Sequence, residues 1–196
     1  MNDNQEHLAF NHQIGLALSQ WQHNVEWELY GIKQACTGDK RTADTYITFF
    51  EERSFRFRLR QANDLVVANF ANTPLYTDWL SLHRRIETAA KGRNALAHHW
   101  VLIYLDEKPG RRWCLIPRLG RIKQGTNQKL PPGSLCVRDI SALFQRFAAL
   151  GNALHNFNAR LRGRPEPRPK HLEQESRPLT LAQLTHEIRV LAGCPN

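Results

Sequence analysis

Apolar residues recur at steps of three and four over much of the chain, and that spacing predicts helices. Between Leu8 and Cys36, the residues Leu18, Trp21, Val25, Leu29, Ile32 and Cys36 form one stripe, the mark of a first long amphipathic helix. Gly38-Asp39 ends it, and Asp39 is placed to cap a second helix with Ala43, Ile47, Phe50, Phe57, Leu65 and Ala68 on its apolar side. The aromatic residues of that stretch, Phe49, Phe50, Phe55, Phe57 and Phe70, are expected in a core or a dimer contact, with base stacking as the alternative. A third helix opens where Thr73 suits the N-cap and Pro74 the first helical position, which needs no N–H. Its seam runs Leu75, Trp79, Leu82, Ile86, Ala89, Arg93, Leu96 and Trp100. Arg93 stands where an apolar side chain belongs, so it needs an anionic or hydrogen-bonding partner.

After Trp100 the period changes. Val101 to Leu105 and Trp113 to Ile116 are short apolar runs around a Pro109-Gly110 turn, which predicts a β-hairpin over about 101–117. A Gly- and Pro-bearing loop follows, with Arg118, Arg121 and Lys123. A fourth long helix is expected from about Asp139, with Ile140, Leu143, Phe144, Phe147, Leu150, Leu154 and Phe157 inward. Residues 162–178 form a basic Pro/Arg-rich linker, and Thr180 opens a short terminal helix within 179–196. The expected fold class is all-α. Four long helices make a main domain over 1–161, with a small β-hairpin inserted between the third and fourth.

Composition narrows the class of protein. Hydrophobic residues are 41% and charged residues 23% of 196, a globular balance. The first residues show no basic start leading into an apolar stretch, and no window has the length of a membrane span, so a cytoplasmic protein without membrane contact is expected. Cys36, Cys114, Cys136 and Cys194 are scattered without a Cys-x-x-Cys pair, which suits reduced structural thiols. A net charge of +9 favours polyanionic partners such as RNA. Phosphate contacts are expected from Arg118, Arg121 and Lys123 in the loop and from Arg160, Arg162 and Arg164 further on.

The chemistry concentrates in Arg93-Asn94-Ala95-Leu96-Ala97-His98-His99, at the end of the third helix. An arginine and a histidine with four to six residues between them are common by chance, and Arg164 with His171 is such a coincidence in the Pro-rich linker. The Arg93 match differs: it lies on a helix, its arginine interrupts an apolar seam, an asparagine follows directly, and two histidines close the helix. Arg93-Asn94-x-x-x-His98 resembles the Arg-x4-6-His signature of HEPN domains. That resemblance implies a four-helix bundle that dimerises with two motifs facing each other, and for many members a metal-independent endoribonuclease of toxin or antiphage-defence type. It carries over Arg93, Asn94 and His98, with His99 as a second candidate histidine. Where one subset of the family has a modifiable tyrosine two residues after the histidine, this chain has Trp100, so that mode of control is not expected.

The residue types suit phosphodiester cleavage. Histidine exchanges protons near neutral pH, and arginine presents a fork of donors that matches a phosphate. Asn94 and His98 share a helix face, whereas Arg93 and His98 are separated by about 140° of rotation. A site shared between two copies of the chain is therefore expected, with RNA as substrate and a cognate antitoxin or defence-complex protein as further partner. No cofactor is expected; His83, His98 and His99 lack the His-Glu-x-x-His spacing of a metal site. The alternative is a non-catalytic helical module that binds RNA or a protein, with Arg93 buried against a carboxylate of the first helix such as Glu26 or Glu28.

Overall fold

The computed structural model describes residues 3–39, 43–51, 54–105, 111–117 and 130–163. Those residues are mostly helical and carry one small antiparallel sheet. The order is α1 (Asp3–Gln20), a π-helical turn (Trp21–Glu26), α2 (Trp27–Thr37), α3 (Ala43–Glu51), α4 (Phe55–Phe70), α5 (Pro74–His98), β1 (Trp100–Leu105), β2 (Arg111–Ile116), β3 (Leu135–Cys136) and α6 (Val137–Leu161). Most of the loop after β2, the hairpin turn, the Pro/Arg-rich linker beyond Gly163 and the expected terminal helix lie outside the described residues. Among the described residues, no helix is long and apolar enough to cross a membrane.

The described residues divide into two compact units. One takes residues 20–90 and 146–163, the other 3–19 and 91–145. In the all-helical unit the expected stripe is inside: Trp21, Val25, Leu29 and Ile32 are buried, as are Trp79, Leu82, Ile86 and Ala89 of α5 and Phe147, Leu150, Leu154 and Phe157 of α6. Trp21 meets Phe55 and Phe147 edge-on, and Trp79 stacks on Phe157. Gly151 of α6 faces Asn24 so closely that a Cβ would run into its Cβ and backbone.

The π-helical turn has a visible cause in hydrogen bonding. An i to i+5 turn is wider than an α-turn and brings residues five apart onto one face. Trp21 Nε1 thereby donates to Glu26 Oε1 at 2.8 Å, and Arg58 of α4 reaches the other oxygen at 2.7 Å. Both ions of the Glu26–Arg58 pair are buried, at 6% and 9% side-chain exposure. Two residues on, Glu28 accepts from Asn158 and contacts His155 Nδ1, each at 3.0 Å.

The expected second helix is two helices. Ser54 is extended, at φ −103° and ψ 118°, and its carbonyl accepts from the N–H groups of Phe57 and Arg58, starting α4 afresh. The restart changes the inward face: Phe49, Leu59, Ala62 and Val66 are buried, while Ile47 and Phe57 are 49% and 43% exposed. The Asp39 carboxylate accepts from the Thr37 hydroxyl at 2.7 Å, and the segment that it was expected to cap, 40–42, lies outside the described residues. Gly38 ends α2 as expected, in the left-handed region at φ 74°. Thr73 does precede α5, but its hydroxyl donates back to the Phe70 carbonyl at 2.9 Å.

The second unit holds α1, the last turns of α5, the sheet and the start of α6. β1 and β2 form the expected hairpin, with Trp100 opposite Ile116 and Ile103 opposite Trp113. A third strand, not anticipated, adds to β2 by pairing Cys114 with Cys136 and Leu115 with Leu135. The two cysteine Sγ atoms lie 3.0 Å apart. In α2 of the all-helical unit, burial pushes the Cys36 thiol up to about 11, which keeps it protonated and unreactive at neutral pH. His7 of α1 stacks on Trp113 of β2 at 4.4 Å. The Asp139 carboxylate accepts from the Cys136 N–H at 2.8 Å, closing the first turn of α6 in the manner of a capping box.

Candidate functional site

The motif occupies the last turns of α5, and burial of Leu96 sets its orientation. Leu96 is 3% exposed, and a Cβ at position 92 would strike the side chain of Leu143 on α6, so the Gly92–Leu96 edge of the helix faces inward. Asn94 and His98 stand about 160° from Leu96 on the helical wheel and are exposed. Arg93 stands about 60° from Leu96 and is half-buried. Arg93 is therefore on the flank of the seam, not at its centre.

Its guanidinium turns outward across the helix, and Nη1 donates to Asn94 Oδ1 at 3.2 Å. Among the described residues no carboxylate pairs with Arg93. Glu26 and Glu28, the partners considered from sequence, are taken by Arg58 and Trp21 and by His155 and Asn158. The structure thus brings Arg93 and Asn94 together, and it places His98 one turn along from Asn94 on the same exposed face. His98 makes no hydrogen bond or ion pair among the described residues.

The two histidines differ in environment. His98 is the last residue of α5 and is exposed. His99 has left the helix, although its N–H still donates to the Ala95 carbonyl at 3.0 Å, and its Nδ1 is buried without a partner among the described residues. Burial first, and the adjacent His98 second, lower its pKa below the ordinary 6.5. The folded ring is therefore neutral where the unfolded one takes a proton. The unfolded chain binds more protons as pH falls through 6.5, so stability from the neutral ring is present above that pH and declines below it. In a histidine ring titration followed by NMR, His99 is expected to show a midpoint below 6.5. A midpoint at or above that value would show that the ring is not desolvated as described.

The remaining sequence-derived candidates fall elsewhere. Arg118, Arg121, Lys123 and Arg164 lie outside the described residues. Arg160 and Arg162 have intramolecular partners: Arg160 pairs with Asp78 at 2.7 Å, and Arg162 donates to the Gly31 carbonyl at 3.1 Å. His83 and Glu87 pair with each other at 3.7 Å and line a groove of about 640 Å³ with Arg56, Arg60 and Asn63 of α4. Among the described residues no three His, Cys, Asp or Glu side chains are grouped to hold a metal ion. Sequence reasoning missed Arg58, whose burial on α4 was hidden by the assumed continuity of the second helix. It also missed Arg84, Arg85 and Arg146, which periodicity can mark only as outward-facing.

No family model matches the chain, and no curated protein or solved structure matches it. What can be said of its function therefore rests on these residues and on the motif they form.

Proposed function

We propose that the chain is a metal-independent endoribonuclease of the HEPN type, acting as a toxin or in antiphage defence at a site composed from two copies of the α5 terminus. One observation carries the reading: Arg93 has an asparagine but, among the described residues, no carboxylate as partner, and an exposed histidine stands on the face of that asparagine. An arginine serving only to hold helices together would sit buried against an acid, as Arg58 does. A phosphate supplies the anion that Arg93 lacks, and Asn94 holds the guanidinium fork in place.

The chemistry follows from the parts. His98 takes the proton of a ribose 2'-OH, and the 2'-oxygen attacks the adjacent phosphorus. Arg93 stabilises charge on the phosphoryl oxygens as the bond to the 5'-oxygen breaks. The leaving oxygen takes a proton from the histidine of a second copy, because 140° of helical rotation separates Arg93 from His98 within one copy. The products are a 2',3'-cyclic phosphate and a 5'-hydroxyl. The nucleophile belongs to the RNA, so the step calls for no metal-bound water.

The test is product analysis on single-stranded RNA in excess chelator. Cleavage with those ends, and none on a substrate lacking the 2'-hydroxyl, is the expected result. Metal-dependent cleavage would overturn the mechanism. RNA binding without cleavage would favour a non-catalytic module. Light scattering should give a dimer at about tens of micromolar, within the affinity range of ordinary protein associations.

A further inference from the structure

The helical unit carries a second concentration of positive charge. A groove of about 440 Å³ is lined by Arg84, Arg85 and Thr88 of α5 and by Arg146, Ala149 and Leu150 of α6. Residues one turn apart line it on each helix, Arg84 with Thr88 and Arg146 with Leu150, so each helix offers one face to the groove. The three arginines and Thr88 are exposed, whereas Leu150 is 2% exposed and forms part of an apolar floor.

The charge in this groove has one sign. Among the described residues none of the three guanidiniums pairs with an acid, and the nearby acids of α5 are engaged elsewhere. Asp78 holds Arg160, and Glu87 contacts His83 in the groove beside α4. The Thr88 hydroxyl donates to the Arg84 carbonyl at 3.0 Å, so its hydrogen is already used inside the helix. The donors left to a ligand are the guanidiniums. Three such forks on exposed helix faces repel one another until an anion lies among them, and their planar geometry matches phosphate oxygens.

We propose that this groove binds the sugar–phosphate backbone of single-stranded RNA, which makes it a substrate-holding surface separate from the reacting residues. The proposal rests on the reading of the α5 terminus as an RNA-cleaving site. Among the described residues the lining is three guanidiniums and Thr88 over Ala149 and Leu150, without a side-chain amide or carboxylate, so phosphate contacts outweigh contacts to base edges. Repeating phosphates suit cations spread over two helices, and the apolar floor accommodates sugar carbons.

The experiment compares the full chain with an Arg84→Gln, Arg85→Gln, Arg146→Gln variant and with the corresponding triple Lys variant. The probe is a fluorescent single strand of 2'-O-methyl RNA, which cannot be cleaved by transesterification. Cleavage of the matching unmodified RNA is measured in parallel. Loss of three phosphate contacts should weaken binding about tenfold or more at ~0.1 M salt and flatten the plot of log affinity against log salt by about 2. The Lys variant should keep the salt slope and lose only part of the affinity, because charge remains and the fork does not. In the Gln variant KM should rise while kcat holds.

Circular dichroism checks the fold, which substitution at exposed positions leaves intact. If the wild type binds and cleaves but the Gln variant matches it in affinity and slope, the groove proposal is overturned and the reading of α5 stands. If the wild type binds without cleaving, the cleavage reading falls, and the Gln variant still decides the groove. Displacement of RNA by inorganic phosphate at constant ionic strength would make this a site for the free ion and overturn the polymer assignment. A wild type that binds no RNA overturns both.

Discussion

Replacing His98 with alanine is expected to lower RNA cleavage by about a hundredfold or more, the range for loss of a general acid–base group. The folded state should hardly change. His98 is exposed and makes no hydrogen bond among the described residues, so its removal falls in the class of surface substitutions worth within about 0.5 kcal/mol. Arg93→Ala should cost a comparable or larger factor, since oxyanion-type donors contribute about a hundredfold to a thousandfold. Arg93→Lys should recover little of it, because lysine lacks the planar fork that spans a phosphate and Asn94 together. His99→Ala discriminates between the histidines: with its ring half-buried and its Nδ1 inside, it is expected to lower stability more than rate. Full activity in a folded His98→Ala, His99→Ala double variant would remove histidine from the mechanism.

The largest effect on folding is expected at Arg58. Truncating it to methionine leaves the Glu26 carboxylate buried, with only the Trp21 N–H among the described residues to offset the lost charge, and a broken buried pair costs about 3–5 kcal/mol. Much of that should return in a Glu26→Gln, Arg58→Met double variant, because a neutral amide still accepts from Trp21 and neither ion of the pair remains. Urea unfolding measures both: the single variant should show a lower midpoint at unchanged slope, and the double should move back toward wild type. Equal destabilisation in the two would mean that packing around the arginine stem, not the uncompensated charge, sets the cost.

These two predictions differ in how far the sequence reveals them. The end of α5 was legible because a Pro at the first helical position and an apolar seam interrupted by one arginine lie within one helix. The inward face of α6 was legible for the same reason: Ile140 to Phe157 keep one period throughout and are buried as read. Arg58 was not, because the chain restarts at Ser54 and the phase read from Ala43 and Phe50 does not carry into α4. The wide turn at Trp21–Glu26 escaped a reading that tests for steps of three and four, although the tryptophan and glutamate that it joins are both polar-capable residues five apart. β3 spans two residues and gains its identity only from pairing with Cys114 and Leu115, a contact between distant segments that no local pattern contains. Burial of Leu96 could be read from the seam, but the turn of Arg93 toward Asn94 is a choice of side-chain conformation that no spacing encodes.

The short junction between α5 and β1 has a consequence for the dynamics of the motif. Helix ends ordinarily fray, and a histidine on a frayed end samples many positions before it meets a substrate. Here a single residue separates His98 from a strand that is hydrogen-bonded to its neighbour, and the His99 N–H remains tied to Ala95. The backbone carrying His98 is thus clamped from both sides. Its amide protons should exchange at a rate set by opening of the sheet rather than by unwinding of a helix tip. Ordering a loose segment would cost about 1–2 kcal/mol for each residue fixed, and this chain has met that cost in folding, before any ligand arrives.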